Sequence, residues 1–416
     1  MKKWKIYKVE DVCNRIFSGG TPSTKNKDYW NGNLKWLSSG ETRKSFIYDT
    51  EKKITDLGAE KSATKLAKKD SVVIATAGQG YTRGQTSYLT DNMYINQSLI
   101  SLETNAEYLI PLYLYYNFKN RYLEFRQLSD GTSTRGSLSG KIIKSMDIVL
   151  PSIETQQKIV NVLHNIDKKI ELNNKINNNL EQQAQAFFKS WFVEFEPFNG
   201  TMPSDWEIVP LEKIANFQNG YAFKSKELLN EPSPDCYKVF KQGHIARGGG
   251  FIPDGTKSWY PKSISSKLEK FVLKKGDILM AMTDMKDNVA ILGNTAVMPL
   301  DNEYIVNQRV GHLRANGYKG VTYPFIYLLT NSTDFLVDLR SRANSGVQVN
   351  LSSSEIKASQ TVLPSEDINN AFSEITLPMF EFIINNQLEN QRLAQLRDTL
   401  LPKLISGELD VSDIDL

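Results

Sequence analysis

Apolar residues recur at seven-residue intervals in two separate stretches of the chain. Ile159, Ile166, Asn173, Leu180 and Phe187 fall in step in the first, and Phe372, Met379, Asn386, Leu393 and Leu400 in the second. Intermediate apolar positions widen each stripe: Val162, Leu163, Ile170 and Ile176, then Ile375, Phe382, Ile383 and Leu396. That period predicts two long amphipathic helices, each burying one face along its length as in a coiled coil. The stretches keep a common register, and each follows the same tripeptide, Leu150-Pro151-Ser152 or Leu363-Pro364-Ser365. Pro378 stands inside the second copy, where it is expected to kink the helix or begin a new segment. Asn173 and Asn386 share one heptad position. A lone Asn in an apolar seam costs stability but fixes register, so these two are candidates for aligning the helix pair. The alternative is that both face solvent beside the seam.

Ahead of each helical stretch lies a strand-rich region. Lys69-Asp70-Ser71-Val72-Val73-Ile74-Ala75 has a twin in Lys275-Gly276-Asp277-Ile278-Leu279-Met280-Ala281, and both read as a turn followed by a buried strand. Asn96-Gln97 is echoed by Asn307-Gln308. Two polar segments, Gly131-Thr132-Ser133-Thr134-Arg135 and Ser345-Gly346-Val347-Gln348-Val349-Asn350, read as loops. Each precedes a Leu-Ser pair (Leu138-Ser139, Leu351-Ser352) and a strand ending in Leu-Pro. Trp4-Lys5-Ile6 and Trp206-Glu207-Ile208 open the two halves.

The chain is therefore expected to be an internal repeat. Its fold class is α+β: two mixed α/β domains separated by a long antiparallel two-helix coiled coil, with pseudo-twofold symmetry. The domains span residues 1–151 and 206–364, and the helical regions 152–195 and 365–410. A linker rich in Pro, Gly and Asn covers 196–205, and 411–416 form a tail. Helices of about 25 to 35 residues would be roughly 40 to 50 Å long, near or slightly above one turn of B-DNA at about 34 Å. If the second helix returns along the first, the globular halves sit at opposite ends of a rod.

Composition narrows the chemistry. The 416 residues suffice for two to four domains, and 40% hydrophobic with 23% charged residues is ordinary for a soluble globular protein. Net charge is only +3, so binding to a polyanion requires basic groups gathered on particular surfaces. Cys13 and Cys236 cannot make a disulfide framework, which points to a reducing cytoplasm. The start, Met1-Lys2-Lys3-Trp4-Lys5, leads into no apolar run, and the most apolar stretch, Tyr108 to Phe118, is too short to span a bilayer. His164, His244 and His312 have no second His or Cys at metal-ligand spacing. Glycine-rich segments come close to phosphate loops without matching them: Ser137 stands where a lysine is required, and Gly136 to Lys141 is one residue short. Gly78-Gln79-Gly80 with Gly84 is one residue off the dinucleotide spacing, and there is no Gly-x-Ser-x-Gly elbow. The balance favours a binding protein over an enzyme.

Polar loops mixing Arg, Gln, Asn, Ser and Thr carry the donors and acceptors that contact phosphates and base edges. Candidates in the first half are Thr21, Ser23, Lys25, Arg43, Gln79, Tyr81, Arg83, Gln85, Thr134 and Arg135. In the second half they are Lys224, Lys241, His244, Arg247, Lys257, Lys286, Asn288, Arg309, Arg342 and Gln348. For each, the competing assignment is an ordinary solvated surface residue.

The duplicated layout resembles the specificity (S) subunit of type I restriction-modification enzymes. The matching pieces are Leu150-Pro151-Ser152-Ile153-Glu154-Thr155-Gln156-Gln157-Lys158-Ile159, Phe187-Phe188-Lys189-Ser190-Trp191-Phe192, and Leu400-Leu401-Pro402-Lys403-Leu404-Ile405-Ser406-Gly407-Glu408-Leu409. Phe17-Ser18-Gly19-Gly20-Thr21-Pro22-Ser23 is also similar to the family's target-recognition domains. The resemblance implies that the two domains are target-recognition domains, each reading half of a split, asymmetric sequence in double-stranded DNA. It implies that the helices serve as spacer and as docking site for two modification (methyltransferase) subunits, with restriction subunits joining them. S-adenosylmethionine would then belong to the modification subunits, and ATP and Mg to the restriction machinery. This chain would carry no cofactor, no metal and no catalytic residue. A different reading of the same pattern is a coiled-coil adaptor with two peptide- or protein-binding domains. The halves are alike only in their marker segments, so the two half-sites should differ.

Overall fold

The computed structural model describes residues 4–411 except 79, 131–136, 265–267, 286–288 and 346–347. It divides into two compact units, Met1–Ile170 with Arg392–Leu416, and Glu171–Gln391. The division falls inside both predicted helical regions. The two long helices, Ile153–Phe192 and Glu366–Ser406, each contribute a segment to both units.

In the first unit a five-stranded sheet runs in the order Cys13–Ser18, Leu99–Thr104, Val72–Ala75, Thr86–Leu89, Phe46–Ile47. A four-stranded sheet runs Lys52–Ile54, Trp30–Leu37, Met93–Ile95, Lys65–Ala67. Successive side chains on a strand point to opposite faces. Val73 and Ala75 therefore enter one core with Leu37, Ala67, Leu89 and Ile95. Val72 and Ile74 enter another, formed with the helix Pro111–Asn120 and with Ile159, Val160 and Leu163 of the first long helix. Leu401, Leu404 and Ile405, from the end of the second long helix, complete that second core.

The second unit repeats the scheme. A four-stranded sheet runs Ala215–Asn219, Val310–Ala315, Ile278–Ala281, Thr295–Val297, and a three-stranded one Trp259–Pro261, Cys236–Phe240, Tyr304–Val306. The strand matching Val72–Ala75 again serves two cores: Ile278 and Met280 face one, Leu279 and Ala281 the other. Phe188 and Phe192, from the end of the first long helix, fill the first of these. The Phe192 ring lies 4.8 Å from Phe372, 5.2 Å from Phe325 and 5.8 Å from Trp206. Both expected twin strands are thus fully buried, covered on both faces.

Each long helix is locked at its start by one buried amide. Gln156 donates to the carbonyls of Tyr108 (2.8 Å) and Pro151 (3.1 Å), and its oxygen accepts from the Ile110 N–H (3.0 Å). Asn369, at the matching position, donates to the carbonyls of Lys319 (2.9 Å) and Pro364 (3.2 Å). The preceding strands pair alike: Lys5 opposes Leu150 in one unit, and Glu207 opposes Leu363 in the other, both antiparallel.

The helix seam is polar in its middle. In the second unit Asn173 donates to Glu389 (2.7 Å) and Asn390 (2.9 Å), Asn390 to Asn174 (2.9 Å), and Asn386 to Asn177 (2.8 Å). Partner numbers fall as positions rise, so the segments run antiparallel there. Asn173 is 1% and Asn386 7% exposed, so neither faces solvent. They bond to different residues of the opposite helix, not to each other. In the first unit the seam holds Asp167, which accepts from Arg397 (2.8 Å) and from the Tyr116 hydroxyl (2.8 Å).

Three expectations need correction. No new segment starts at Pro378: the second helix continues through it as one element, with Phe372, Phe380 and Ile384 buried on either side. Their packing outweighs the roughly 3 kcal/mol that an interior proline costs. At 40 and 41 residues, each helix is about 60 Å long, beyond the expected range. Phe382 and Leu396 do not widen the seam; each is about half exposed on its outer side. Among the described residues no helix is long and apolar enough to cross a membrane.

Replacing Asn177 with Leu should orphan the buried Asn386 amide and cost about 1–3 kcal/mol. The double change Asn177→Leu/Asn386→Leu should recover most of that loss. Thermal unfolding of the full chain checks this, and equal destabilisation by the single and double changes would count against the pairing.

Candidate nucleic-acid interface

In the first unit the segment after Phe17 runs so close to a neighbouring strand that only glycine fits. A Cβ on Gly19 would collide with the Ile95 carbonyl, and one on Gly20 with the Ala63 backbone. The Gly20 N–H donates to that Ile95 carbonyl at 3.0 Å. Immediately beyond, the Asn96 side chain accepts from the Ser98 N–H (3.1 Å), a local turn that leaves Gln97 exposed. The Thr21 hydroxyl donates to the Gln97 side-chain amide oxygen, Oε1.

The second unit builds the same corner. A Cβ on Gly220 would collide with the Asn307 carbonyl, and the Tyr221 N–H donates to Val306 at 2.9 Å. Asn307 accepts from the Arg309 N–H (3.3 Å) and leaves Gln308 exposed. The Asn-Gln echo in the sequence is therefore a repeated structural corner.

Around the first corner opens a concavity of about 840 Å³, lined among others by Ser18, Lys65, Gln97, Ser137, Lys141 and Lys144. Lys141 and Lys144 lie on the short helix Gly140–Ser145, whose N-cap Ser139 accepts from the Ile142 N–H at 3.2 Å. Lys65 lies over the Phe17 ring at 6.0 Å. These three lysines are exposed, and none is ion-paired among the described residues. A concave wall with free cations and amide groups suits a phosphodiester backbone and the polar edges of bases.

The matching wall in the second unit has different chemistry. The helix Ser353–Ala358 repeats the capped turn, with Ser352 accepting from the Glu355 N–H at 3.1 Å. Ser354 stands in the place of Lys141, while Lys357 matches Lys144. Ser353 donates to Asn219 at 2.9 Å, a link across the corner. The adjoining loop is organised by Asp284, which accepts from the N–H groups of Met285 (2.8 Å), Ala290 (2.7 Å), Ile291 (2.7 Å) and Leu292 (3.2 Å). Burial alone would raise this carboxyl's pKa, but the N–H groups hold it below the usual range.

The candidates from sequence separate into groups. Thr21, Ser23, Lys25, Tyr81, Lys224, Arg247, Lys257, Arg309 and Gln348 are exposed, and Gln85 and Lys241 are half-buried. Arg43 is exposed but lies 3.5 Å from Glu51, and Arg342 pairs with Asp338 at 2.7 Å. Gln79, Thr134, Arg135, Lys286 and Asn288 lie outside the described residues. Two expectations fail on burial. Arg83 is turned inward onto Asp130. His244 is fully buried, stacked against Phe240 (5.0 Å) and Phe251 (6.3 Å), and burial pushes its imidazole down to about 4. It is a neutral core residue.

Ser18, Lys65, Lys141, Lys144 and Gln97 line this concavity but were not among the contact candidates read from the sequence. The Leu-Ser signature before Lys141 and the Asn-Gln echo were the available signals. Among the described residues no group of three or more His, Cys, Asp or Glu stands together as a metal site.

Comparison with known proteins agrees with this duplicated geometry. The model of the type I restriction modification DNA specificity domain matches residues 1–182 and again 203–398. The MjaIX type I restriction enzyme specificity subunit of Methanocaldococcus jannaschii is 27% identical, over 99% of this chain and 95% of that one. The HindI specificity subunit of Haemophilus influenzae is 25% identical, over 98% of this chain and 100% of that one. Among solved structures, the S subunit of a type I restriction-modification system from M. genitalium superposes with a TM-score of 0.58 at 18% identity, covering 97% of this chain and 96% of that one. With one match on each half and little of the sequence left over, the chain belongs to the type I restriction modification DNA specificity domain family.

Proposed function

We propose that this chain gives a type I restriction-modification complex its DNA target, each half reading one part of a split, asymmetric sequence. The observation that carries this is the repeated corner: a glycine packed on a backbone, an Asn turn and an exposed Gln, beside a wall whose side chains differ between the units. A common frame with different contact groups is what two readers of different half-sites require. The first wall, with Lys65, Lys141 and Lys144, supplies phosphate contacts that position the duplex.

In this reading the long helices are the spacer and carry the docking sites for two modification subunits, with restriction subunits joining them. S-adenosylmethionine binds the modification subunits, and ATP with Mg the restriction machinery. Asn173 and Asn386 hold helix register through their partners on the opposite helix. The recognition chain supplies no catalytic group. A coiled-coil adaptor is the poorer reading, since its peptide-binding domains would need no free cationic wall.

Two measurements test this reading. In the assembled complex, Lys65→Ala/Lys141→Ala/Lys144→Ala should weaken DNA binding and lower the slope of log affinity against log salt by up to about 3, near 0.9 per lost phosphate contact. An unchanged slope and affinity, measured by fluorescence anisotropy between low and moderate salt, would remove the wall from the interface. Replacing residues 1–151 with those of another family member should change one half of the methylated motif and leave the other intact. A change in both halves would undo the two-reader reading.

A further inference from the structure

Between the strands Val72–Ala75 and Thr86–Leu89, Gly80, Tyr81 and Arg83 are each held by one helix, Tyr122–Asp130. The Tyr122 hydroxyl donates to the Tyr81 carbonyl at 3.0 Å, the Arg126 guanidinium donates to the Gly80 carbonyl, and Asp130 takes the inward-turned Arg83. At its base the Gly84 N–H donates to Ala75 (2.8 Å) and the Gln85 N–H to Thr82 (3.0 Å). Gly78, Gly80 and Gly84 have φ values of 131°, 62° and 86°, which a side chain would strain.

This tethered backbone presents Tyr81, which at 83% is the most exposed large hydrophobic residue among those described. A single exposed aromatic is unremarkable on a loose segment. Here the backbone of Gly80 and Tyr81 is held by two side-chain ties, with Arg83 drawn inward beside it, while the one aromatic ring is left in water. That arrangement lowers the ordering cost of a later contact. The loop also adjoins the cationic wall: the Leu138 N–H donates to the Thr76 carbonyl at 3.0 Å, and both residues line the concavity with Lys141 and Lys144.

We propose that Tyr81 is an aromatic wedge, stacking on or into a base step of the half-site read by the first unit while the lysine wall holds the adjacent backbone. The proposal rests on the reading of that unit as a DNA reader. A π face stacks on any base, so the ring contributes affinity and helix opening, not base identity. The matching loop of the second unit is tied by the Asp284 carboxylate and contains no aromatic residue between Thr283 and Leu292. The wedge is therefore one-sided.

The test uses the chain assembled with its modification subunits and duplexes carrying 2-aminopurine at successive positions of both half-sites. Binding should raise fluorescence at one step of the first half-site. Tyr81→Ala should reduce that rise several-fold, and Tyr81→Phe should keep it. Salt dependence, the methylated motif and the second half-site should be unaffected, and an abasic site at the responsive step should restore affinity to Tyr81→Ala. Tyr81→Ala that leaves every position as in the wild type overturns the wedge, and so does a changed motif, which would make Tyr81 a base reader. A wild-type complex that binds scrambled duplex equally well would instead overturn the DNA-reader assignment, and the wedge with it.

Discussion

The hydrophobic core of each unit includes, besides its globular segment and the start of the helix that follows, the far end of the other long helix. In the first unit Leu401, Leu404 and Ile405, from the far end of the second long helix, pack with Val9, Ile148 and Leu163. In the second, Phe188 and Phe192, from the far end of the first, pack with Leu211, Phe325 and Phe372. Burying one such side chain is worth about 1.5–3 kcal/mol, so two or three of them match a large part of a domain's usual 5–15 kcal/mol. The helices are thus structural members of both units, and this is why their apolar ends keep step across the repeat. Between those ends the seam turns polar, with Asp167 in one unit and the Asn173, Asn177, Asn386 and Asn390 set in the other. Apolar ends give affinity; hydrogen-bonded centres penalise a slipped register, because a shifted helix would leave buried amides unpaired.

The same division between a fixed frame and variable contacts governs the proposed recognition surfaces. Gly19 and Gly220, Asn96 and Asn307, and Gln97 and Gln308 repeat because they build the corner on which each surface stands. Around it the chemistry diverges. The first unit has Lys141 and a tyrosine-tipped loop held by a helix; the second has Ser354 and a loop organised by an aspartate. Divergence on a common frame lets one architecture read two unlike half-sites.

Much of the frame was legible in the sequence because it is periodic or local. The seven-residue spacing marked both helices, the unbroken apolar runs after a turn in Val72–Ala75 and Ile278–Ala281 marked buried strands, and the duplicated Leu-Pro-Ser marked where each helix begins. The proposed contact surface was legible only in part, because it depends on residues distant in sequence. His244 looks like a polar loop residue until Phe240 and Phe251 enclose it, and Arg83 until Asp130 turns it inward. Lys65, Lys141 and Lys144 come together only when the strand Lys65–Ala67 and the helix Gly140–Ser145 meet beside Phe17. Phe382 and Leu396 carry the right hydrophobicity for the seam but fall on the helix's outer side, and Pro378 is overridden by the core around it.

One frame carrying two different DNA readers predicts a particular kind of modification site. Methylation-sensitive sequencing of DNA from cells in which this chain directs its modification subunits measures that site directly. The expected result is a motif of two unlike specific parts separated by an unspecified gap. A continuous or palindromic motif, or modification that does not depend on this chain, would contradict it.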